Sequence, residues 1–175
     1  MRKTIKLILI VFGLVVVSVS SFAQVTASAN ATATIVTPIT IAKVTDMNFG
    51  NIAVQSGVGG TVTLSASATP TRTPGGAGGV TLPAVTGTVQ SALFDINGTP
   101  NYTFAITLPS TALTITSGLN TMLVDLFTSS PSPTGALNGS GYCALYVGAT
   151  VNVGAGQAPG IYTSQTPFDV TVNYN

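Results

Sequence analysis

Short runs in which apolar and polar residues alternate recur along this chain, and they restrict its fold more than any other feature. Residues 143–153 are the clearest case, because every second residue from Cys143 to Val153 is apolar. Alternation with a period of two places apolar side chains on one face of a β-strand, whereas a helix needs them every three or four residues. Gly, Pro and Asn clusters between the runs are typical of turns. We therefore predict an all-β fold, an Ig-like or pilin-like antiparallel β-sandwich of about nine or ten strands.

The first 23 residues have the organisation of a secretory signal peptide. Basic residues precede an apolar run at 7–19, and Ser21 and Ala23 are small residues at the positions that a signal peptidase reads. The alternative is a retained membrane anchor, but the run is shorter than the roughly 20 residues of a spanning helix. We predict cleavage before Gln24, export to the cell surface, the extracellular space or the periplasm, and no membrane span afterwards.

The remaining chain is long enough for one domain. We divide it into an N-terminal extension or first strand at 24–36 and a single β-sandwich domain at 37–175. Cys143 is the one cysteine, so an internal disulfide is impossible and the fold must depend on its core. We expect its thiol to be buried within a strand, and the alternative is a disulfide with a second chain.

Charged residues are unusually rare. They make up 5% of the chain, against about 25% in ordinary domains. After cleavage the charged residues that remain are Lys43, Arg72, Asp46, Asp95, Asp125 and Asp169. A surface with so little charge favours association and does little to prevent pairing between exposed strand edges. It also argues against nucleic acid as a partner, because phosphate contacts need clustered Lys and Arg.

The composition leaves little room for catalysis. Without histidine, the Ser-His-Asp and Cys-His arrangements cannot form, and the usual zinc sites are excluded as well. Asp95 and Asp125 could meet across a sheet as a carboxylate pair, although single aspartates on solvent faces are the commoner situation. We predict a protein that is not an enzyme, with no catalytic, cofactor-binding or metal-binding residues. Tyr142, Tyr146 and Tyr162 could form a sugar-binding platform if exposed, while core or interface packing is the commoner role of tyrosine.

The two ends of the mature chain both alternate in the manner of strands. The candidate assembly strand at the N-terminal end has its apolar residues at Val25, Ala27, Ala29, Ala31, Ala33 and Ile35. The C-terminal strand has its apolar residues at Phe168, Val170, Val172 and Tyr174. A strand added to the sheet of another protein gains main-chain hydrogen bonds, and its alternate side chains fill pockets. The pattern therefore indicates polymer assembly by strand addition.

Several segments of the chain resemble one protein family. They are "MNFGNIAV" (47–54), "TPTRTPGGAGGVTL" (69–82), "FDINGTPNYTFAITLPS" (94–110), "LYVGATVNV" (145–153), "GIY" (160–162) and the ending "VTVNYN". Together they resemble the family filed as domain of unknown function 4402, over nearly the whole mature chain. By analogy, the resemblance implies a secreted fimbrial or spore-coat-like subunit of a Gram-negative bacterium.

The pilin analogy can be compared with individual residues. Chaperone–usher pilins resemble this chain in ending on an alternating strand with a penultimate aromatic residue, here Tyr174. They also have a glycine roughly fourteen residues from the end, whereas Gly160 is sixteenth from the end of this chain. In such pilins a periplasmic chaperone grips the terminal strand, and the N-terminal extension of a neighbour later completes the sheet. Many pilins also carry a disulfide, which this chain cannot form.

Three interpretations follow from the sequence. The first is a structural subunit of a fimbria, pilus or coat. Such a subunit assembles with copies of itself or with sibling subunits, binds a periplasmic chaperone and takes part in cell adhesion. The second is a closed monomeric sandwich in which residues 25–35 complete the sheet of their own chain. The third is a secreted monomeric module that binds carbohydrates or surfaces.

Overall fold

The structure is a computed structural model that describes residues 24–175, and the predicted signal peptide lies outside the described residues. The chain divides into two units, of which the second is Val36–Asn175. In the first unit, the described residues 24–35 contain no helix and no strand, and their side chains are exposed. The strand predicted at 25–35 is therefore not formed within this chain, and Val25 and Ile35 are 91% and 97% exposed.

Strands are the only long regular elements among residues 36–175, which confirms the predicted all-β antiparallel fold. The fifteen strands are β1 (Thr40–Thr45), β2 (Asn48–Phe49), β3 (Ala53–Val54), β4 (Gly60–Leu64), β5 (Arg72–Gly75), β6 (Val80–Thr81), β7 (Val89–Gln90), β8 (Ala92–Asn97), β9 (Thr103–Thr107), β10 (Leu113–Ser117), β11 (Asn120–Ser130), β12 (Thr134–Ala136), β13 (Tyr142–Val153), β14 (Thr163–Ser164) and β15 (Thr171–Tyr174). This number exceeds the predicted nine or ten, because five strands are only two residues long.

The largest sheet is built around β13, the longest strand. Its order is β1-β8-β13-β11-β10-β14, and β4 with its partner β5 also joins β13. The first half of β13 pairs with β8 and the second half with β4, on either side of Gly148. A Cβ atom at Gly148 would collide with the carbonyl oxygen of Leu64. Glycine is thus required where the long strand changes partner.

A β-bulge in β11 brings an aromatic side chain into the core. The register between β11 and β13 shifts between Asp125 and Thr128, so that Leu126 and Phe127 together face one residue of β13. Leu126 has a positive φ of 48° and a side chain that is 73% exposed. Phe127 packs against both core clusters of the protein. The extra residue therefore reorients the strand so that Phe127 lies at the boundary between the two clusters.

The first core cluster lies between the large sheet and a second layer. That layer is the three-stranded sheet β12-β9-β15. The buried members of the cluster are Ala92, Phe94, Ile96, Phe104, Leu137, Leu145, Val147 and Val172. Phe104 on β9 is fully buried, and the ring lies so close to Gly135 on β12 that a side chain there would collide with it. This half of the molecule is a sandwich with both layers present.

The second core cluster has a less complete cover. Its buried members are Val62, Val80, Val124, Ala149, Val151 and Val153. The side chains that pack over them come largely from residues 47–54 and from Leu82. Residues 47–54 contribute only β2 and β3, each paired with one other two-residue strand. A gap in the second layer results, and it forms an open groove.

Candidate functional site

An open groove of about 1050 Å³ lies over the second core cluster. Apolar side chains of β10, β11 and β13 line its floor: Leu113, Ile115, Met122, Val124, Val151 and Val153. Phe127 and Phe168 line the end nearest to the first core cluster. The volume lies just above the range of about 300–1,000 Å³ that small-molecule pockets occupy. The groove is therefore large enough for an extended apolar ligand.

Two stretches of backbone form the lips of the groove, residues 48–54 on one side and residues 157–164 on the other. Strands β2 and β3 in the first lip and β14 in the second each pair with only one neighbouring strand. A strand with one partner keeps unpaired N–H and C=O groups along its other edge. In the first lip the carbonyl oxygens of Phe49 and Asn51 accept hydrogen bonds from Arg72, so β14, the edge strand of the large sheet, is the margin open to a further strand. An apolar floor beside an open strand edge is the combination that strand addition uses.

Arg72 holds the first lip in place. Its Nη1 donates hydrogen bonds to the carbonyl oxygens of Phe49, at 2.9 Å, and of Asn51, at 2.7 Å. The side chain of Asn48 accepts a hydrogen bond from the amide of Gly50, which has a positive φ of 67°. Charge-assisted hydrogen bonds are stronger than those between neutral groups. Arg72 therefore fixes the turn at 49–51 against β5, a role that the Gly- and Pro-rich sequence around Arg72 does not indicate.

The second lip is anchored by Tyr162. Its hydroxyl donates to the carbonyl oxygen of Ala158 and accepts from Nε2 of Gln157, both at 2.8 Å. The same amide nitrogen also donates to the carbonyl oxygen of Thr121 in β11. Tyr162 is consequently a structural residue of the groove. It does not form a common platform with Tyr142 and Tyr146, which lie on β13.

The rim of the groove carries an ion pair between Lys43 and Asp46, whose Nζ and Oδ1 lie 2.6 Å apart. The two side chains are 56% and 81% exposed, so solvent screens the pair and its contribution to stability is small. Lys43 belongs to β1, an edge strand of the large sheet. Charged residues on an edge strand oppose unwanted pairing with other chains.

The C-terminal strand lies at an edge and packs against the first core cluster. Strand β15 pairs only with β9. Val172 is buried, and Phe168, Val170 and Tyr174 are half-buried against the cluster, while the residues between them are exposed. The ring of Phe168 lies 5.1 Å from that of Phe127, centroid to centroid. Phe168 therefore connects the terminal segment to the groove.

Tyr174 secures the end of β15. Its hydroxyl donates to the carbonyl oxygen of Thr37 at 2.8 Å and accepts from the amide of Thr99 at 2.7 Å. A Cβ atom at Gly98 would collide with this hydroxyl. The penultimate tyrosine thus joins the segment before β1 to the turn after β8.

The structure does not bring the other sequence candidates together. Asp95 lies opposite Ala144 and Asp125 opposite Thr150 on β13, and six residues of strand correspond to roughly 20 Å. These two carboxylates therefore do not form a pair. Cys143 is half-buried, and burial raises the pKa of its thiol. Residues 24–175 contain no group of three or more His, Cys, Asp or Glu that could hold a metal ion.

The six residues of the candidate assembly strand, Val25, Ala27, Ala29, Ala31, Ala33 and Ile35, lie in the first unit. All six are exposed and adopt no regular structure. Across the described part of the chain, no helix has the length and hydropathy needed to cross a membrane.

By its fold, the protein is an all-β protein in which the second layer is incomplete. The family model of DUF4402, a domain of unknown function, matches residues 39–174. The chain belongs to this family. No curated protein and no solved structure matches the chain.

Proposed function

We propose that this protein is a non-enzymatic structural subunit of a bacterial surface appendage, such as a fimbria or pilus, or of a coat, and that it assembles by β-strand addition. The observation that carries the proposal is the open groove, where an apolar floor lies between two lips whose strands each pair on one side only, with β14 as the edge strand of the large sheet. A strand in the groove would form main-chain hydrogen bonds with a lip and place alternate side chains on the floor.

Burial of the groove floor supplies the driving force. On the floor, Leu113, Ile115 and Met122 are only half-buried and keep apolar surface in contact with water, whereas Val124, Val151 and Val153 are already buried. Removing apolar surface from water stabilises by about 25 cal/mol for each Å². Filling the groove with an apolar strand therefore completes the core. The subunit with a filled groove is more stable than the free subunit, and this difference favours association.

The occupant that we propose is residues 25–35 of a neighbouring subunit. In this segment every second residue is apolar and none is charged. Its exposed, irregular backbone leaves the strand-forming groups free for a partner. In an extended conformation, the distance from residue 25 to residue 35 is roughly 33 Å. This is about the length of the eleven-residue strand β11, which forms part of the groove floor. A periplasmic chaperone that covers the groove before assembly, and export to the cell surface, belong to the same proposal.

A charge placed within the segment tests this proposal. Ala29→Asp puts a carboxylate on the apolar face, and Asn30→Asp puts the same charge on the opposite face of the same segment. We expect the unaltered protein to form oligomers that grow with concentration, Ala29→Asp to remain monomeric, and Asn30→Asp to assemble. Light scattering after size-exclusion chromatography measures all three.

Two outcomes would refute strand addition through this segment. One is an unaltered protein that stays monomeric at every concentration, even when a synthetic peptide of residues 25–35 is added. The other is equal assembly by Ala29→Asp and Asn30→Asp, because the two faces of the segment would then be equivalent. Circular dichroism of each variant shows whether the fold is retained.

A further inference from the structure

The outer face of β1, β8 and β13 carries a group of residues that the groove does not use. Tyr142, Ala144 and Tyr146 alternate along β13 with the buried residues Leu145 and Val147, so they point away from the core. On the neighbouring strand β8, the residues directly opposite these three are Asn97, Asp95 and Leu93. Two tyrosines and a carboxylate therefore share one face of the sheet.

Tyr142 and Asp95 form a built contact on this face. The tyrosine hydroxyl donates to Oδ1 of Asp95 at 2.7 Å. This hydrogen bond, together with the negative charge of Asp95, raises the pKa of Tyr142, so the phenol stays protonated and acts as a donor. Within residues 24–175, no hydrogen bond reaches the other carboxylate oxygen, Oδ2. That oxygen is available to accept hydrogen bonds from a ligand.

Small side chains separate the two tyrosines. Ala42 on β1, Asp95 on β8 and Ala144 on β13 lie in one row across the strands. Tyr142 and Tyr146 lie on either side of this row, four residues or roughly 13 Å apart along β13. The two tyrosines thus flank a row of small side chains that contains one acceptor, Asp95, which the Tyr142 hydroxyl contacts.

The charge on this face limits what it can bind. Asp95 is the only charged residue at the outward positions of these three strands, and no cation accompanies it there. An anionic polymer would meet a carboxylate without any compensating positive charge. A neutral polyhydroxyl compound has the complementary chemistry, because its hydroxyls donate to Asp95 and its apolar C–H faces stack on tyrosine rings.

We propose that this outer face binds a neutral glycan chain, with Tyr142 and Tyr146 as stacking platforms and Asp95 as the hydroxyl acceptor between them. The site lies on the face of β13 opposite to the core, so it operates whether or not the groove accepts a strand. A subunit of this kind would attach to a sugar-coated surface as well as to its own copies.

Isothermal titration of the purified full chain with neutral hexasaccharides tests the proposal, with cellohexaose and chitohexaose as probes and a heparin hexasaccharide as the anionic comparison. We expect binding of at least one neutral probe and none of heparin. Tyr142→Ala and Tyr146→Ala should each weaken that binding at least fivefold, and Asp95→Asn at least threefold.

Matched controls separate a local effect from a general one. Asp125→Asn removes a carboxylate from a distant position of the same sheet, and Leu119→Ala truncates a fully exposed apolar side chain in the turn after β10. Both should bind as the unaltered protein does. Tyr142→Phe keeps the ring and loses the hydroxyl, so it should retain more affinity than Tyr142→Ala.

The proposal is overturned if neither neutral probe binds at millimolar concentration, or if heparin binds more tightly than both. It is equally overturned if Asp125→Asn weakens binding as much as Asp95→Asn. Thermal unfolding of every variant is measured first, so that a loss of affinity is compared only among folded proteins.

Discussion

Replacement of Arg72 by methionine is the sharpest test of how the groove is held together. The change keeps a long apolar stem and removes the guanidinium that donates to the carbonyl oxygens of Phe49 and Asn51. A hydrogen bond to a charged group contributes about 1.5–3 kcal/mol. Both bonds come from one nitrogen, and the bond to Asn51 is exposed to solvent. We therefore expect Arg72→Met to lower the free energy of unfolding by about 2 kcal/mol.

Lys43→Met is the matched control, because it removes the other cation of residues 24–175. Its ion pair with Asp46 is exposed, so the expected loss is at most about 0.5 kcal/mol. Urea denaturation followed by circular dichroism measures the free energy of unfolding of both variants. In thermal unfolding, the Arg72→Met loss corresponds to a decrease in Tm of about 4–8 °C. Equal losses in the two variants would refute the assignment of Arg72 as the residue that fixes the 48–54 lip.

Two further predictions concern the core and the outer face. Phe104→Ala removes a fully buried ring and should lower the free energy of unfolding by about 3–5 kcal/mol. The control Leu119→Ala, at a fully exposed position, should change it by less than about 0.5 kcal/mol. A denaturant titration measures both variants, and similar losses in the two would contradict the described core. The hydrogen bond to Asp95 raises the pKa of Tyr142 in the folded state. The stability that the protonated Tyr142 contributes is therefore fully present below the ordinary tyrosine pKa of about 10, and it is lost as the pH rises through the folded pKa. Absorbance titration should therefore show a high-pH phenol transition that Tyr142→Phe removes and Asp95→Asn moves to lower pH, and an unchanged transition in Asp95→Asn would contradict the contact.

Alternation predicted the longest strand closely because one of its faces is buried along its whole length. Residues 143–153 were identified from their pattern, and the strand is β13, Tyr142–Val153. Its inward residues enter both core clusters, so every second position had to be apolar. Residues 122–127 are apolar on both faces, a pattern typical of a central strand, and β11 pairs with a neighbour on each side. The bulge at Leu126 and Phe127 explains part of that pattern, but the pattern alone does not specify a bulge.

Edge strands in Gly- and Pro-rich segments were not predicted. The Gly and Pro residues of segments 69–80 and 128–141 are typical of loops, yet these segments contain β5 and β12. Each of these strands pairs with one neighbour only and lies at the edge of its sheet. Such pairing depends on backbone hydrogen bonds to the partner and requires little from the side chains, so it leaves a weak pattern in the sequence.

By itself, the sequence determined the strand content, the apolar face of the main strands and the scarcity of charge. These properties depend on residue type and on spacing within one segment, and both can be read locally. Only the tertiary structure decided that the second layer is incomplete, that Arg72 reaches across to Phe49 and Asn51, and that Tyr142 contacts Asp95. The hydrogen bonds of Arg72 and Tyr142 each join residues at least 21 positions apart. A period of two tells which face of a strand is buried, but it does not tell which edges meet or where an edge stays open.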